Sequence, residues 1–122
     1  MENEHRGELT VTVGGRDFLL RPEFESIARL ESHLNLGLPH IVMRMARDPR
    51  YTDFAAVIFC SMVTPEGEKA PSFKEVGKLV MKTKIMSITK PLCDFLGKCL
   101  SAGEEEIDEM SKKGALKAKP TV

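Results

Sequence analysis

The sequence predicts a mostly helical α+β fold, an N-terminal β-hairpin followed by about five helices in one small domain. Three observations carry that reading. Glu8 to Arg21 alternates apolar and polar residues around Gly14-Gly15, which is the period of a strand. Beyond Pro22 the apolar spacing changes to that of helices. The chain has 122 residues, 42% hydrophobic and 30% charged, which is ordinary globular composition for one domain. Eighteen basic residues balance eighteen acidic ones, so bulk charge gives no reason to bind nucleic acid.

The hairpin comes first. Leu9, Val11 and Val13 alternate with Thr10 and Thr12. Gly14-Gly15 supplies the two positive-φ positions of a type I′ turn. That turn sets Val13 opposite Arg16, Val11 opposite Phe18 and Leu9 opposite Leu20. The apolar residues of both strands then share one face, and helices must cover it, because two strands alone are marginal.

Pro22 suits the first turn of the next helix. Phe24, Ile27, Leu30 and Leu34 form its inner stripe, and Gly37 falls at a C′ position. Pro39 opens a shorter helix with Ile41, Val42 and Met45, which ends before Pro49. A third helix runs from Asp53 to about Val63. It leaves little polar face and reads as the central helix. Thr64 to Pro71 is a loop. Ser72 and Glu75 then make a capping box for a helix with Phe73, Val76, Leu79 and Val80 inside. The last helix spans Lys84 to Ala102, with Pro91 expected to kink it or to mark a start near Thr89. Residues 1–7 and 103–122 read as flexible tails around a domain at 8–102.

Cys60, Cys93 and Cys99 are odd in number and form no CxxC. Each sits in an apolar helical stretch, as buried thiols in a reducing cytoplasm do. Met1 to Glu8 is polar and unlike a signal peptide. The longest apolar runs, near Phe54–Val63 and Pro91–Leu100, are about ten residues, too short to span a bilayer of about 30 Å. The expectation is a soluble intracellular protein.

Lys74, Lys78 and Lys82 recur every four residues, and Ser72 to Lys90 holds five lysines against the single acid Glu75. Such a stripe can follow phosphates. No aromatic residues interleave for base stacking, so a solvated helix face is the simpler reading. Arg44, Arg47 and Arg50 form a smaller basic cluster of the same kind. Asp53 reads as a first-turn acid favoured by the helix dipole. His5, His33 and His40 stand at no ligand spacing, and no nucleophile elbow, HExxH or phosphate loop occurs. No catalytic, cofactor-binding or metal-ligating residue is nominated, and no enzyme is expected. Most methionines suit the core. Met43, Met81 and Met86 fit the inner faces less well, and adaptable thioethers on a surface suit a grip on apolar partners. With Lys78 and Lys82 as a rim, these are the candidate partner-binding residues.

The succession of weak motifs carries a resemblance over about residues 7 to 102. Gly7-Glu8 opens a strand. Val13-Gly14-Gly15, Leu20-Arg21-Pro22, Leu34-Asn35-Leu36-Gly37-Leu38 and the apolar Asp53–Cys60 follow. Phe73-Lys74-Glu75-Val76-Gly77-Lys78-Leu79-Val80-Met81 precedes a final helix ending at Leu100. This resembles the small tail proteins of gene transfer agents and siphophages, which are related to phage tail assembly chaperones. Some members are labelled tail tube proteins, but one hairpin is too little strand to close a ring. The resemblance implies a chaperone that binds the tape measure protein before the tube polymerises. It also implies tail tube protein as a further partner, a possible homo-oligomer, a bacterial cytoplasmic location and absence from the mature particle. Such chaperones are often extended by frameshifting, for which Lys112-Lys113-Gly114 lies in the right place, although an ordinary basic tail is the simpler reading. Two rivals are a structural tail component retained in the particle and a nucleic-acid-binding regulator using the Lys74–Lys90 stripe.

Overall fold

A computed structural model describes residues 7–110, with backbone alone for 101–110. The hairpin forms from β1 (Leu9–Val13) and β2 (Arg16–Leu20) in the register expected, Val13 against Arg16 and Leu9 against Leu20. Gly14 and Gly15 both take positive φ, 61° and 84°. Val11, Val13, Phe18 and Leu20 are buried on one face. On the other, Thr12 donates to the Asp17 carboxylate across the pair.

Five helices follow: α1 (Phe24–Leu34), α2 (Leu38–Arg47), α3 (Tyr51–Ser61), α4 (Phe73–Met81) and α5 (Ile85–Met110). The protein is thus an α+β, mostly helical fold. Its centre is α3, where Asp53 to Ile58 are all buried. This helix packs against α1, α4, α5 and β2, which is why it has no outward apolar–polar division. The long α5 lies along α2 and β1 and buries Ile88, Leu92, Phe95, Leu96 and Cys99.

Several local expectations are corrected. The third helix stops at Ser61, and Met62–Val63 forms a short strand, β3, antiparallel to β2. Thr64 precedes Pro65, and a residue before proline is pushed from the helical to the extended region. The chain therefore leaves α3 extended and adds a third strand in the order β1-β2-β3. Pro22 stands outside α1, just before the N-cap Glu23. The left-handed C-cap of α1 is Asn35 rather than a glycine, and Gly37 becomes the N-cap of α2. Asn tolerates that conformation better than most residues.

Phe24 does not join the inner stripe; it is 80% exposed. At about 100° per residue, the steps from Phe24 to Leu30 place them about 120° apart. Ser26 is buried instead, beside Leu30.

Pro91 neither breaks nor starts α5, which runs continuously through it. The proline leaves the carbonyl of Ser87 without its helical donor, and Ser87 is exposed, so water can serve. The helix also continues past the expected end at Ala102 to Met110, through residues of good helix propensity such as Glu104, Glu105 and Glu106. The expected tail at 103–122 is therefore helical backbone as far as 110. The remainder of both expected tails, with Lys112-Lys113-Gly114 and His5, lies outside the described residues.

Candidate functional site

The corner between α4 and α5 gathers four of the five candidate partner-binding residues. Helix α4 begins with the capping box foreseen: the Glu75 N–H donates to Ser72 Oγ at 3.1 Å, and the Ser72 N–H donates to Glu75 Oε1 at 2.8 Å. Val76 and Val80 face inward and are fully buried. That orientation sends Lys74, Lys78 and Met81, spaced by four and three residues, to the outer face. Met81 is 69% exposed. Lys82 caps the helix end, Lys84 precedes α5, and Met86 in the first turn of α5 is 84% exposed.

The hairpin turn holds this corner in place. The Gly14 N–H donates to Thr83 Oγ1, and Thr83 Oγ1 donates to the Leu79 carbonyl at 2.9 Å. The backbone N–H groups of Lys82 and Thr83 close the helix on Leu79 and Val80. Gly14 lies so near the end of α4 that a Cβ there would come within 2.8 Å of the Leu79 oxygen. Met81 and Met86 are therefore displayed by a pinned backbone and not by a free loop.

Electrostatically the corner is positive. The one acid between Ser72 and Lys90, Glu75, is engaged in the cap of its own helix. Among the described residues Lys74, Lys78, Lys82 and Lys84 make no ion pair, while Lys90 pairs with Asp94 at 3.2 Å. The first turn of α5 contains no acid. An apolar centre with a cationic rim can bind apolar groups flanked by negative charge.

Met43 is half-exposed on a different helix, α2. Two further exposed aromatics, Phe24 and Tyr51, open α1 and α3. The spacing had assigned Phe24 to the inner stripe; counting helical angle turns it outward. Separately, a groove of about 500 Å³ crosses the outer face of the sheet. Thr10, Leu19 and Val63 line it from three adjacent strands, under Pro65 and Pro71.

Arg47 and Arg50 of the arginine cluster are exposed, but Arg44 is drawn into an ion pair. Asp53 is 1% exposed and accepts from Arg44 Nε at 3.0 Å and Arg44 Nη2 at 2.7 Å. The Arg50 N–H donates to the same carboxylate at 2.9 Å. The hydrogen bond that Arg44 donates to Asp53 is the main reason that its guanidinium is pushed above its ordinary pKa. Asp53 is thus more than a first-turn acid: it joins α2 to α3. A second pair, Arg21 with Glu8, ties the end of β2 to the start of β1.

Burial raises the pKa of all three thiols, that of Cys99 to about 11. Among the described residues, no three His, Cys, Asp or Glu gather as a metal site requires. None of their helices is long and apolar enough to cross a membrane. Comparison with protein-family models, curated proteins and solved structures gives no match.

Proposed function

We propose that this protein is a non-enzymatic tail assembly chaperone, working in the bacterial cytoplasm, that binds the tape measure protein and keeps it soluble while the tail tube assembles. The observation that supports this reading is the α4–α5 corner. Two methionines, 69% and 84% exposed, flank the α4–α5 junction in a lysine-rich stretch on a pinned backbone. A long helical chain with apolar stripes aggregates unless those stripes are covered. Thioethers adapt to varied apolar side chains, and helix-in-groove contacts cover them reversibly. Binding of this kind uses many modest contacts, so the chaperone can be displaced as the tube closes. The short strands of the sheet, of five, five and two residues, favour a chaperone over a tube subunit.

The test is co-expression with the long helical protein encoded downstream in the same locus. The chaperone should carry that protein into the soluble fraction, and the complex should persist at about 0.5 M salt, where surface charges are screened. Met81→Glu with Met86→Glu should lose the rescue. A prey equally insoluble with and without the chaperone sinks the reading. Mass spectrometry of purified particles adds a second arm, because a chaperone is absent from them and a retained tail component is present.

The exposed lysines favour one other reading, a nucleic-acid-binding regulator. It requires binding to a duplex that weakens steeply as salt rises.

A further inference from the structure

Resting on the chaperone reading, we infer that the client segment taken up at the α4–α5 corner is an amphipathic helix whose apolar stripe is flanked by carboxylates. The lysines select that segment and the methionines hold it.

The charge of the corner is uncompensated. Lys74, Lys78, Lys82 and Lys84 are all exposed, and none makes an ion pair among the described residues. On α5 the chain supplies a counterion: Lys90 has Asp94 one turn on, at 3.2 Å. On α4 the corresponding neighbours are alike in charge, with Lys78 one turn after Lys74 and Lys82 one turn after Lys78. Like charges at that spacing repel. An incoming carboxylate relieves the repulsion. Glu75 does not, because its carboxylate is held in the α4 cap.

Apolar and charged groups share one side of α4. At about 100° per residue, Lys74, Lys78 and Met81 fall within about 60° of one another, opposite the buried Val76 and Val80. Met86 adds a second exposed thioether in the first turn of α5. A partner must therefore bring apolar and anionic groups side by side. A helix does so with an apolar stripe at every third or fourth position and acids on the adjoining positions.

The two kinds of side chain divide the work. A single exposed ion pair adds little affinity. Several together speed encounter and reject partners of the wrong sign. The thioether contacts carry no charge for salt to screen, and they set how long the partner stays.

The experiment is binding of labelled synthetic peptides to the full chain, followed by stopped-flow fluorescence anisotropy. Three peptides of about twenty residues share one leucine stripe and differ only beside it, with Glu, Gln or Lys. At about 0.05 M salt the Glu peptide should bind at least about tenfold tighter than the Gln peptide, and the Lys peptide should bind most weakly. Raising salt to about 0.5 M should slow association of the Glu peptide at least about fivefold and change its dissociation less than about twofold. Lys78→Gln with Lys82→Gln should remove the preference for Glu and leave binding of the Gln peptide in place. Met81→Gln with Met86→Gln should weaken all three peptides, and circular dichroism should show both variants folded. Glu and Gln peptides that bind alike, or not at all, overturn the inference. So does a preference that survives the loss of Lys78 and Lys82. A DNA duplex that displaces the Glu peptide and still binds the methionine variant assigns the lysines to phosphates, and also overturns it. The peptides contain nothing of the tape measure protein, so the two readings fail separately. Rescue of that protein with no preference among the peptides defeats this inference alone. A clear preference without rescue defeats the chaperone alone.

Discussion

Arg44 and the lysines of α4 look alike in the sequence, each part of a basic run on a helix, yet the fold treats them in opposite ways. Arg44, half-buried, spends its charge on both oxygens of a carboxylate that is 1% exposed. Lys74, Lys78 and Lys82 keep theirs on the surface, without an ion pair among the described residues. The difference lies in the neighbouring element. Helix α2 leads into the first turn of α3, where the buried Asp53 carboxylate needs a partner. Helix α4 turns its lysines away from α3, and its own acid is occupied. A basic cluster counted in sequence is therefore not yet a surface patch. Arg44 pairs with the buried carboxylate, and the lysines stay exposed.

Breaking the inner pair should have the largest effect. Arg44→Ala leaves the Asp53 carboxylate buried with one backbone donor, and stability should fall by about 3–5 kcal/mol in urea unfolding. Arg44→Met with Asp53→Asn removes both charges and should recover part of that loss. If Arg44→Ala costs no more than a surface substitution, the pair does not hold α2 to α3.

The next effect concerns the pin behind the lysine corner. Gly14→Ala meets both a positive φ and the Leu79 backbone, so it should cost about 2–3 kcal/mol. Gly15→Ala has a positive φ but open space around it and should cost about 1 kcal/mol. Equal losses would mean that the hairpin turn does not press on α4.

The interior also determines how titratable groups respond to pH, as the buried thiol of Cys99 shows. Burial raises its pKa to about 11, above the value of about 8.5 for a free thiol. Between those values the folded chain holds a proton that the unfolded chain has lost. The stabilisation is whole below about pH 8.5 and is lost as pH rises towards about 11, a fall on the order of 2 kcal/mol. Chemical denaturation at pH 8 and at about pH 10.5 should show that fall, and Cys99→Ala should flatten it. Cys60 and Cys93 shift in the same direction and leave a residual slope.

The smallest effect belongs to the surface cluster. Lys78→Ala, Lys82→Ala and Met81→Ala should each change stability by less than about 0.5 kcal/mol. The same three substitutions should weaken binding at the corner. A large loss of stability from any of them would make the corner part of the core and reverse the comparison.

The strand register, the Ser72 capping box and the outward placement of Met43, Met81 and Met86 were all legible in the sequence. Each depends on residues within a few positions of one another, where dihedral preferences and helical period act directly. The Arg44–Asp53 pair was not legible, because nine positions separate the partners and only the path of the chain across the α2–α3 junction brings them together. Phe24 misled for a related reason: its spacing suits a stripe, but its angle does not. At the candidate site, sequence reading supplied the side chains but not what holds them, since Gly14 and Thr83 lie 69 positions apart.

What the sequence determined by itself was the set of elements: one hairpin with its register, five helices, and the caps that begin or end some of them. Only the tertiary structure decided which cation pairs with the buried carboxylate, which phenylalanine faces water, how the chain leaves α3 to add a third strand, and that a turn near the N-terminus braces the α4–α5 corner. Local elements follow from backbone preferences and side-chain period, which act over one or two turns. The other outcomes depend on which surface lies opposite once the chain has packed, and no window of sequence contains that surface.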